Sequence, residues 1–269
     1  MCAHSTMDFL SAIILGTVQG LTEFLPISSS GHLVLARLWL PATPYDLAFD
    51  ALLHFATAAA IIIYFRTDFW RLLQSSWNLL QRREVARLQR AYIYALILGT
   101  IPAVLLGLLL EREMETIFRN PALVAGTLIA GSAVMYSAER FARKEQELSA
   151  KSGFRIGLFQ SLALIPGMSR SGMAISGGLF FGLSREEAAR FAFMLGAPLL
   201  IGAGAKKALD LFWGGALFAE FLPIALGMSA AFITGLFAIH FLLRFLRTNT
   251  LGIFILYRLA LAAVVLLIL

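Results

Sequence analysis

The length, composition and charge of this chain indicate an integral membrane protein. Its 269 residues are 59% hydrophobic and 14% charged, with a mean hydropathy of +0.80, whereas soluble domains are roughly 45 to 50% apolar and about 25% charged. A soluble enzyme is therefore excluded. The formal net charge of +6 does not indicate nucleic-acid binding, because the Arg and Lys residues lie in short connections between apolar runs. We predict a single membrane domain over residues 1–269.

The first apolar run is interrupted by polar residues at membrane depth. It follows a leader, MCAHST, that has no basic region, so we expect no cleaved signal peptide. Residues 9–25 are apolar except for Gln19 and Glu23, and the chain then continues as PISSSGH to His32. Irregular backbone at this depth is tolerated only where protein or a water-filled cavity satisfies it. We therefore predict a re-entrant helix, loop, helix unit over residues 9–36.

The rest of the chain alternates apolar runs with basic connections. A polar stretch at residues 66–91 contains six arginines and two acidic residues, and we predict it as a connection. Asp50 and His54 lie at i and i+4, on one face of the span before it. A second interrupted run, IGLFQSLALIPGMSRSGMAISGGLFFG, begins at Ile156. Full spans are predicted at residues 48–65, 92–110, 122–137, 191–205, 221–243 and 251–269.

The two interrupted runs are related at a constant offset of 141 residues. Six of sixteen positions are identical without a gap, and they pair Gly16 with Gly157, Gln19 with Gln160, Leu21 with Leu162, Ser28 with Ser169, Ser30 with Ser171 and Gly31 with Gly172. At the same offset Ser29 pairs with Arg170, and His32 pairs with Met173. The copies thus share a scaffold and differ in their reactive groups. We predict a duplication, with repeat 1 at about residues 8–140 and repeat 2 at about residues 150–269.

The charges of the connections predict that the two copies have opposite orientations. With six spans and two re-entrant units, one set of connections holds 15 Lys and Arg residues and the opposite set holds 5. The positive-inside rule makes the first set cytoplasmic and both termini external. We therefore predict an all-α polytopic membrane protein with about six transmembrane helices, two re-entrant helix-loop-helix units and an inverted-topology repeat. In such repeats the broken helices build a polar site near the midplane.

Glu23, Ser29, His32 and Arg170 are the candidate catalytic residues. A carboxylate inside the membrane costs at least about 2.5 kcal/mol unless it is paired or solvated, and Arg170 is an available partner that also offers a fork for phosphate oxygens. Ser29 or His32 could attack phosphorus. Glu23 could orient His32, accept a proton or hold a divalent cation. The candidate substrate-binding residues are Gln19, Ser28, Ser30, Gly31, Gly167, Ser169, Ser171 and Gly172, because glycine-serine turns at helix N-termini present N–H groups to anions.

Simpler structural roles are open for the same residues. Glu23 and Arg170 could form an ion pair that only holds the two repeats together. The serines could only cap helix starts, and His32 could be a packed histidine. Taken by themselves, the residues indicate a phosphate ester or anhydride handled inside a membrane, with a lipid tail between the helices. A transporter on the same scaffold is an open alternative.

Two segments of the chain resemble the signatures of a known enzyme family. QGLTEFLPISSSGH and PGMSRSGMAISGG are similar to the signature segments of the undecaprenyl-diphosphate phosphatase family, the bacitracin-resistance type of membrane phosphatase. The likeness extends to FDALLHFATAAAIIIYF. The resemblance implies hydrolysis of undecaprenyl diphosphate to the monophosphate and inorganic phosphate, which recycles the lipid carrier for peptidoglycan and other envelope polymers. It also implies a bacterial inner membrane, a site open to the outer side, and support of activity by Mg²⁺ or Ca²⁺.

By position, the resemblance assigns functional roles to Glu23, Ser29, His32 and Arg170. The favoured mechanism has Arg170 and backbone amides binding the diphosphate, Ser29 attacking the terminal phosphorus and His32 moving the proton. Glu23 would orient His32 or hold the cation. His32 as the nucleophile is the alternative mechanism, and a polyprenyl-phosphate flippase is the alternative function. A homodimer is compatible with the sequence.

The chain departs from the family pattern at three positions. Gln19 stands where many members carry glutamate, so this chain has one carboxylate fewer than those members. Ala174 stands where threonine is usual, four residues after Arg170, and Ala56 stands where glycine is common. These departures do not affect the four candidate catalytic residues.

Overall fold

The computed structural model describes residues 8–40, 46–110, 120–142, 146–213 and 220–268, which form helices and contain no strand. The helices are α1 (Phe9–Phe24), α2 (Ser29–Ala36), α3 (Asp46–Tyr64), α4 (Arg66–Leu80), α5 (Arg87–Leu109), α6 (Pro121–Arg140), α7 (Ala150–Ser161), α8 (Arg170–Phe180), α9 (Arg185–Trp213), α10 (Phe221–Leu246) and α11 (Gly252–Ile268). The predicted all-helical class is confirmed for these residues. Most of the predicted outer connections, including the leader and residues 111–119, lie outside the described ranges.

The helices are those of a multi-span integral membrane protein. Among the described residues, α5, α6, α9 and α10 are long and apolar enough to cross a membrane. Helices α3 and α4 pass the same test only together and are bent by 80° at Phe65, while α1 and α11 are apolar but shorter. Helix α9 begins at Arg185, earlier than the predicted span at residues 191–205, because Glu186 and Glu187 in its first turn suit the positive end of the helix dipole.

The prediction of a connection at residues 66–91 is wrong for its first half, which forms helix α4. The arginines obscure an apolar stripe of Trp70, Leu73, Trp77 and Leu80, whose side chains are at least 60% exposed and recur at helical spacing. An exposed apolar stripe on a helix set at 80° to a span is typical of an amphipathic helix that lies in the membrane interface. We therefore expect helix α4 to lie at the level of the lipid headgroups, at one end of α3.

Both interrupted runs fold as two helices joined by an irregular turn. In the first, α1 ends at Phe24 and α2 begins at Ser29, with Pro26 between them. In the second, α7 ends at Ser161 and a short 3-10 turn, Leu162–Leu164, leads towards α8. Helix α8 is buried along most of its length and packs against α6, α7 and α9. The second turn is thus held inside the protein.

Close helix pairs bring the two turns together. Helix α1 packs along α10, and helix α7 packs along α5. A Cβ atom added to Gly16 would lie 2.1 Å from the carbonyl oxygen of Gly227, and one added to Gly157 would lie 2.1 Å from that of Gly99. Only glycine permits this approach of two backbones. Helix α3 packs between α9 and α10, so its middle faces the region where the turns meet.

Candidate active site

Ser28 and Ser169 give the two turns the same local geometry. Both residues have a left-handed backbone, with φ of 75° at Ser28 and 74° at Ser169, a conformation that costs a non-glycine residue on the order of 1–3 kcal/mol. Each hydroxyl caps the helix that follows, by accepting hydrogen bonds from Gly31 N at 3.3 Å and from Gly172 N at 3.1 Å. The predicted capping role of the serines is therefore correct at these two positions. The N–H groups of Gly31 and Gly172 are used inside the turns.

Glu23 is the centre of the site. It lies in the last turn of α1 and is only 4% exposed. One oxygen, Oε1, accepts a hydrogen bond of 3.1 Å from Arg170 Nε. The other, Oε2, accepts hydrogen bonds from the Ser29 hydroxyl at 2.6 Å and from Gln19 Nε2 at 2.9 Å. His54 Nε2 lies 3.5 Å from the same oxygen. A buried carboxylate with these partners carries its charge without unmet hydrogen bonds.

The guanidinium of Arg170 is held between the two copies. Its Nη2 lies 3.0 Å from Glu23 Oε1 in ion-pair contact but without hydrogen-bond geometry, so this N–H group is unsatisfied among the described residues. Nη1 donates to the carbonyl oxygen of Ala192 at 3.4 Å. Gly196 on α9 leaves the space for the guanidinium, since a Cβ atom there would lie 1.3 Å from Nη1. Arg170 thus lines the cavity as a fixed cation that is paired with Glu23.

A cavity of about 560 Å³ opens in front of these residues, a volume in the range of small-molecule sites. Its polar end is lined by Glu23, Ser28, Ser29, Ser30, His54, Gln160, Ser169 and Arg170. The remainder is apolar and consists of residues from α5, the 3-10 turn and α9: Ala103, Val104, Gly107, Leu108, Ala163, Leu164, Pro198, Leu199, Leu200, Gly202 and Ala203. A polar end with an apolar wall suits a molecule that has a charged head and a hydrocarbon tail.

His32 does not contact Glu23 and is not among the residues that line the cavity. Its Nδ1 donates to the carbonyl oxygen of Ser28 at 2.7 Å, and its Nε2 accepts from the Tyr257 hydroxyl at 2.7 Å. The imidazole and phenol rings are nearly parallel, with centroids 5.6 Å apart. The expectation that the four candidate residues converge on one cavity therefore holds for Glu23, Ser29 and Arg170 only, and the expectation that Glu23 orients His32 is wrong.

His54 and Gln160 are cavity residues that the sequence prediction missed. His54 Nδ1 donates to the carbonyl oxygen of Asp50 at 2.7 Å, which directs Nε2 towards Glu23. Gln160 is 2% exposed, and neither atom of its amide has a hydrogen-bond partner in the described structure. Signals for both were present in the sequence: His54 lies four residues after Asp50 in an apolar span, and Gln160 matches Gln19 in the repeat.

Arg258 and Ser171 hold the second turn. Arg258 on α11 is fully buried and donates from Nη2 to the carbonyl oxygens of Gly167 at 2.9 Å and Leu128 at 3.1 Å. Gly167 has a φ of 92°, which favours glycine. Ser171 donates to the carbonyl oxygen of Leu25, and so ties the second turn to the first. The only sequence signal for Arg258 was an arginine inside an otherwise apolar C-terminal run.

The part of the chain that the structure describes does not by itself form a site for a resident divalent cation. The described residues contain no group of three or more His, Cys, Asp or Glu side chains that could hold a metal ion. Among the described residues that line the cavity, Glu23 is the only one with a carboxylate, and both of its oxygens already accept hydrogen bonds. Mg²⁺ and Ca²⁺ require several oxygen ligands. The predicted metal role of Glu23 therefore does not fit the residues present.

Known proteins are similar to this chain along nearly its whole length. The family model described as bacitracin resistance protein BacA matches residues 12–264. The chain belongs to this family. It is 40% identical over 266 residues to a protein from Rubrobacter xylanophilus that is named undecaprenyl-diphosphatase, with 96% of this chain and 97% of that protein covered. Undecaprenyl-diphosphatases from Thermobifida fusca, with 97% of this chain and 90% of that protein covered, and from Pelobacter propionicus, with 94% of each covered, are also 40% identical to it.

The BacA family membership agrees with the resemblance of the two signature segments, and the structure locates the departures from the family pattern. Gln19, at the position where the resemblance implies glutamate in many members, donates to Glu23 at 2.9 Å, so it places no second negative charge beside Glu23. Ala174 is fully buried in α8, one turn after Arg170. Ala56 is 4% exposed in α3. None of the three removes a contact between Glu23, Ser29 and Arg170.

Proposed function

We propose that this protein hydrolyses undecaprenyl diphosphate to undecaprenyl phosphate and inorganic phosphate, and so recycles the lipid carrier of cell-wall synthesis. The observation that carries the proposal is the hydrogen bond of 2.6 Å between the Ser29 hydroxyl and Glu23, beside Arg170, at the polar end of an otherwise apolar cavity. A nucleophile, a base and a fixed cation are thus in contact. The names of the relatives support the same substrate.

In the proposed first step, the Ser29 oxygen attacks the terminal phosphorus and Glu23 takes the hydroxyl proton. The bond between the terminal phosphorus and the bridging oxygen breaks, and undecaprenyl phosphate leaves. Arg170, which lines the cavity beside Ser29, neutralises charge on the transferred phosphoryl group. Water then attacks the phosphoserine and gives one proton to a second base as its hydroxyl bonds to phosphorus. The bond between the Ser29 oxygen and phosphorus breaks, Ser29 takes back the proton held by Glu23, and inorganic phosphate is released.

We assign to His54, rather than to His32, the role of the base that accepts the proton lost by the attacking water. His54 Nε2 lies 3.5 Å from Glu23 Oε2 and lines the cavity. His32 is bound to Tyr257 and to the backbone of its own turn, and this supports a role in holding Ser29 in position. The same geometry favours Ser29 over His32 as the nucleophile.

A divalent cation fits this scheme as a component of the substrate. Among the described residues, the cavity offers one carboxylate, Glu23, and it is already paired with Arg170. Mg²⁺ or Ca²⁺ would therefore enter bound to the diphosphate oxygens and would not be bound by the free protein. The chemistry that such an ion supplies is neutralisation of phosphate charge.

We infer that the chain is one membrane domain made of two inverted repeats, with a re-entrant unit in each. Three observations support this. The turns at Ser28 and Ser169 have the same backbone geometry and the same cap. The α1/α10 pair and the α7/α5 pair approach at glycines that are equivalent in the repeat, Gly16 and Gly157. Helices α3 and α9 pack on each other, as do α6 and α11, which is expected of elements that exchange places under a two-fold axis.

We propose a bacterial inner-membrane location with the cavity open to the outer side. The apolar wall uses the C-terminal part of α5 and the second half of α9, which lead to the connections with few basic residues. The opposite ends of α9 and α10 carry Arg185, Arg190, Arg244 and Arg247. The positive-inside rule assigns these arginines to the cytoplasm.

The test is release of inorganic phosphate from undecaprenyl diphosphate by the purified protein. We expect release by the wild type and a loss of at least about 10³-fold in kcat for Ser29→Ala, the order of effect seen when a nucleophile or an oxyanion donor is removed. An acid-stable phosphoenzyme should be trapped in the wild type and should be missing in Ser29→Ala. The matched control is Ser229→Ala, which changes an exposed serine on α10 that bonds only to its own helix.

Absence of phosphate release by the folded wild type with Mg²⁺ and with Ca²⁺ would sink the proposal. Translocation of polyprenyl phosphate in liposomes without hydrolysis would then identify the protein as a flippase. An acid-labile phosphoenzyme that survives Ser29→Ala would instead make a histidine the nucleophile.

A further inference from the structure

A second pocket lies far from the candidate active site. It has a volume of about 310 Å³ and is formed by the ends of α3, α9 and α10, with the following lining: Tyr64, Glu186, Arg190, His240, Leu243, Arg244 and Arg247. A neighbouring cavity of about 540 Å³ shares Arg244 and Arg247. Neither cavity shares a residue with the candidate active site. Arg190 lies eight positions before Pro198, the first residue of α9 that lines the active-site cavity, which corresponds to about 12 Å along the helix.

The pocket has an excess of positive charge. Arg247 pairs with Glu186 at 2.9 Å, and Arg190 pairs with Asp68 at 3.0 Å. Arg244 forms no ion pair with any residue that the structure describes, and its side chain is exposed. Tyr64 and His240 add a hydroxyl and an imidazole that lie 3.2 Å apart. One uncompensated cation with neutral hydrogen-bonding groups beside it suits an anion with a single negative charge, such as a phosphodiester.

Helix α4 places this pocket at the level of the lipid headgroups. Asp68, in the first turn of α4, is the residue that pairs with Arg190. The exposed stripe of α4, which includes Trp70 and Trp77, is expected to lie in the membrane interface. The ion pair between Asp68 and Arg190 therefore places the pocket at the depth of the membrane interface.

An exposed apolar strip leads from the pocket into the hydrocarbon region. Phe237 and Phe241 on α10 are 69% and 52% exposed. They precede Arg244 by seven and three residues, so the three side chains lie on one face of the helix. Phe241 also lines the neighbouring cavity together with Arg244 and Arg247. A ligand with a phosphate at Arg244 would thus have its hydrocarbon chain against Phe241 and Phe237.

We propose that this pocket is a binding site for an anionic phospholipid of the leaflet on the basic side of the protein. The phosphodiester lies between Arg244, Arg247 and the Tyr64 hydroxyl, and an acyl chain follows the strip of Phe241 and Phe237. Basic pockets between helices on the cytoplasmic side bind anionic headgroups by this combination of charge and apolar contact. The proposal does not depend on the activity of the first site.

The test is native mass spectrometry of the purified full-length protein in detergent, titrated with dioleoylphosphatidylglycerol. We expect Arg244→Gln to weaken binding of this lipid by about tenfold, which corresponds to ~1.4 kcal/mol. The matched control, Arg71→Gln, removes the same charge from an exposed arginine of α4 that lies outside the pocket, and it should change binding by less than about twofold. Both arginines are exposed, so both variants should keep the wild-type unfolding temperature in detergent without added lipid.

Two further ligands distinguish a phospholipid site from a site for any lipid or for a soluble anion. Dioleoylphosphatidylcholine, which has no net charge, should bind equally weakly to the wild type and to Arg244→Gln. Inorganic phosphate should not displace phosphatidylglycerol, because it lacks the chain that contacts Phe241. Equal effects of Arg244→Gln and Arg71→Gln would overturn the proposal. Displacement of the lipid by inorganic phosphate at millimolar concentration would also overturn it, and would make the pocket a site for a soluble anion.

Discussion

At the scale of single residues, the two oxygens of Glu23 bring together groups from three separate parts of the chain. Ser29 and Gln19 come from its own copy, Arg170 from the second copy and His54 from α3. A buried carboxylate without partners would cost several kcal/mol. The free-energy cost of burying the Glu23 carboxylate is therefore lower in the assembled site than in any arrangement in which the two turns are apart.

The contact of Glu23 with Arg170 was predictable from the sequence, and the place of His32 was not. A carboxylate in an apolar chain needs a cation, and the duplication set Arg170 at the position equivalent to Ser29. His32 instead forms a hydrogen bond with the hydroxyl of Tyr257, on α11. Because Tyr257 is so distant in sequence, the spacing of residues around His32 could not predict this contact. His54 was visible only as half of an i, i+4 pair.

Gln160 should bind substrate at a cost to the stability of the free protein. Its amide is buried in the cavity wall and has no partner among the described residues, and an unsatisfied buried amide costs about 1–3 kcal/mol. We expect Gln160→Leu to raise the unfolding temperature of the free protein. The same change should raise KM for undecaprenyl diphosphate by about tenfold, because a hydrogen bond to a charged phosphate is lost.

Gln19→Leu is the matched comparison, since Gln19 occupies the equivalent place in the first copy. Its Nε2 donates to Glu23, so the substitution should lower the unfolding temperature instead of raising it. Thermal unfolding in detergent and phosphate-release kinetics measure both effects. A drop in unfolding temperature for Gln160→Leu with unchanged KM would mean that Gln160 is only a structural residue.

At the scale of the helices, the long apolar spans were predictable and α4 was not. Runs such as residues 92–110 and 221–243 are too apolar to be anything but spans. The first coincides with α5 except for its last residue, and the second lies within α10. The segment of α4 has six arginines in and after it, and a count of charge over the whole stretch hides the four apolar residues on one face. Periodicity within fifteen residues, not average polarity, carries the signal for such a helix.

The two faces of α4 should differ in their access to water. In a Cys2→Ser background, Trp77→Cys should resist a water-soluble maleimide in liposomes, because its side chain belongs to the exposed apolar stripe. Arg71→Cys, on the side of the helix away from the apolar stripe and also exposed, should react at least about tenfold faster. Both should react at similar rates in the unfolded protein. Equal rates in liposomes would mean that α4 stands away from the lipid surface.

At the scale of the whole molecule, two helix pairs related by the repeat hold the halves together. The α1/α10 and α7/α5 pairs each depend on a glycine-to-glycine approach. Four of the six identities seen in the sequence alignment of the copies fall at such contacts or at the turns: Gly16/Gly157, Ser28/Ser169, Ser30/Ser171 and Gly31/Gly172. The sequence could reveal that these positions match, but not which helix each glycine meets.

Alanine at either equivalent glycine should destabilise the protein. Gly16→Ala and Gly157→Ala would each set a methyl group 2.1 Å from a carbonyl oxygen of the facing helix, and overpacking of this kind costs typically about 1–3 kcal/mol. Gly126→Ala is the control, because no atom outside its own helix lies within 4 Å of the added methyl group, and it should be neutral or stabilising by up to about 1 kcal/mol. Unfolding temperatures in detergent measure all three. If Gly157→Ala behaves like Gly126→Ala, the two helix pairs are not equivalent.

The pairing of α1 with α10 also governs the order in which the protein can be assembled as it leaves the ribosome. Phe9–Phe24 is made well before its main packing partner, Phe221–Leu246. At about 5–20 residues per second, the first helix waits on the order of 10 to 40 s for that partner. During this time Glu23 lacks Arg170 as well, since the second turn also emerges later. The nascent chain thus has to accommodate an acidic half-helix without its ion-pair partner until these later segments have been synthesised.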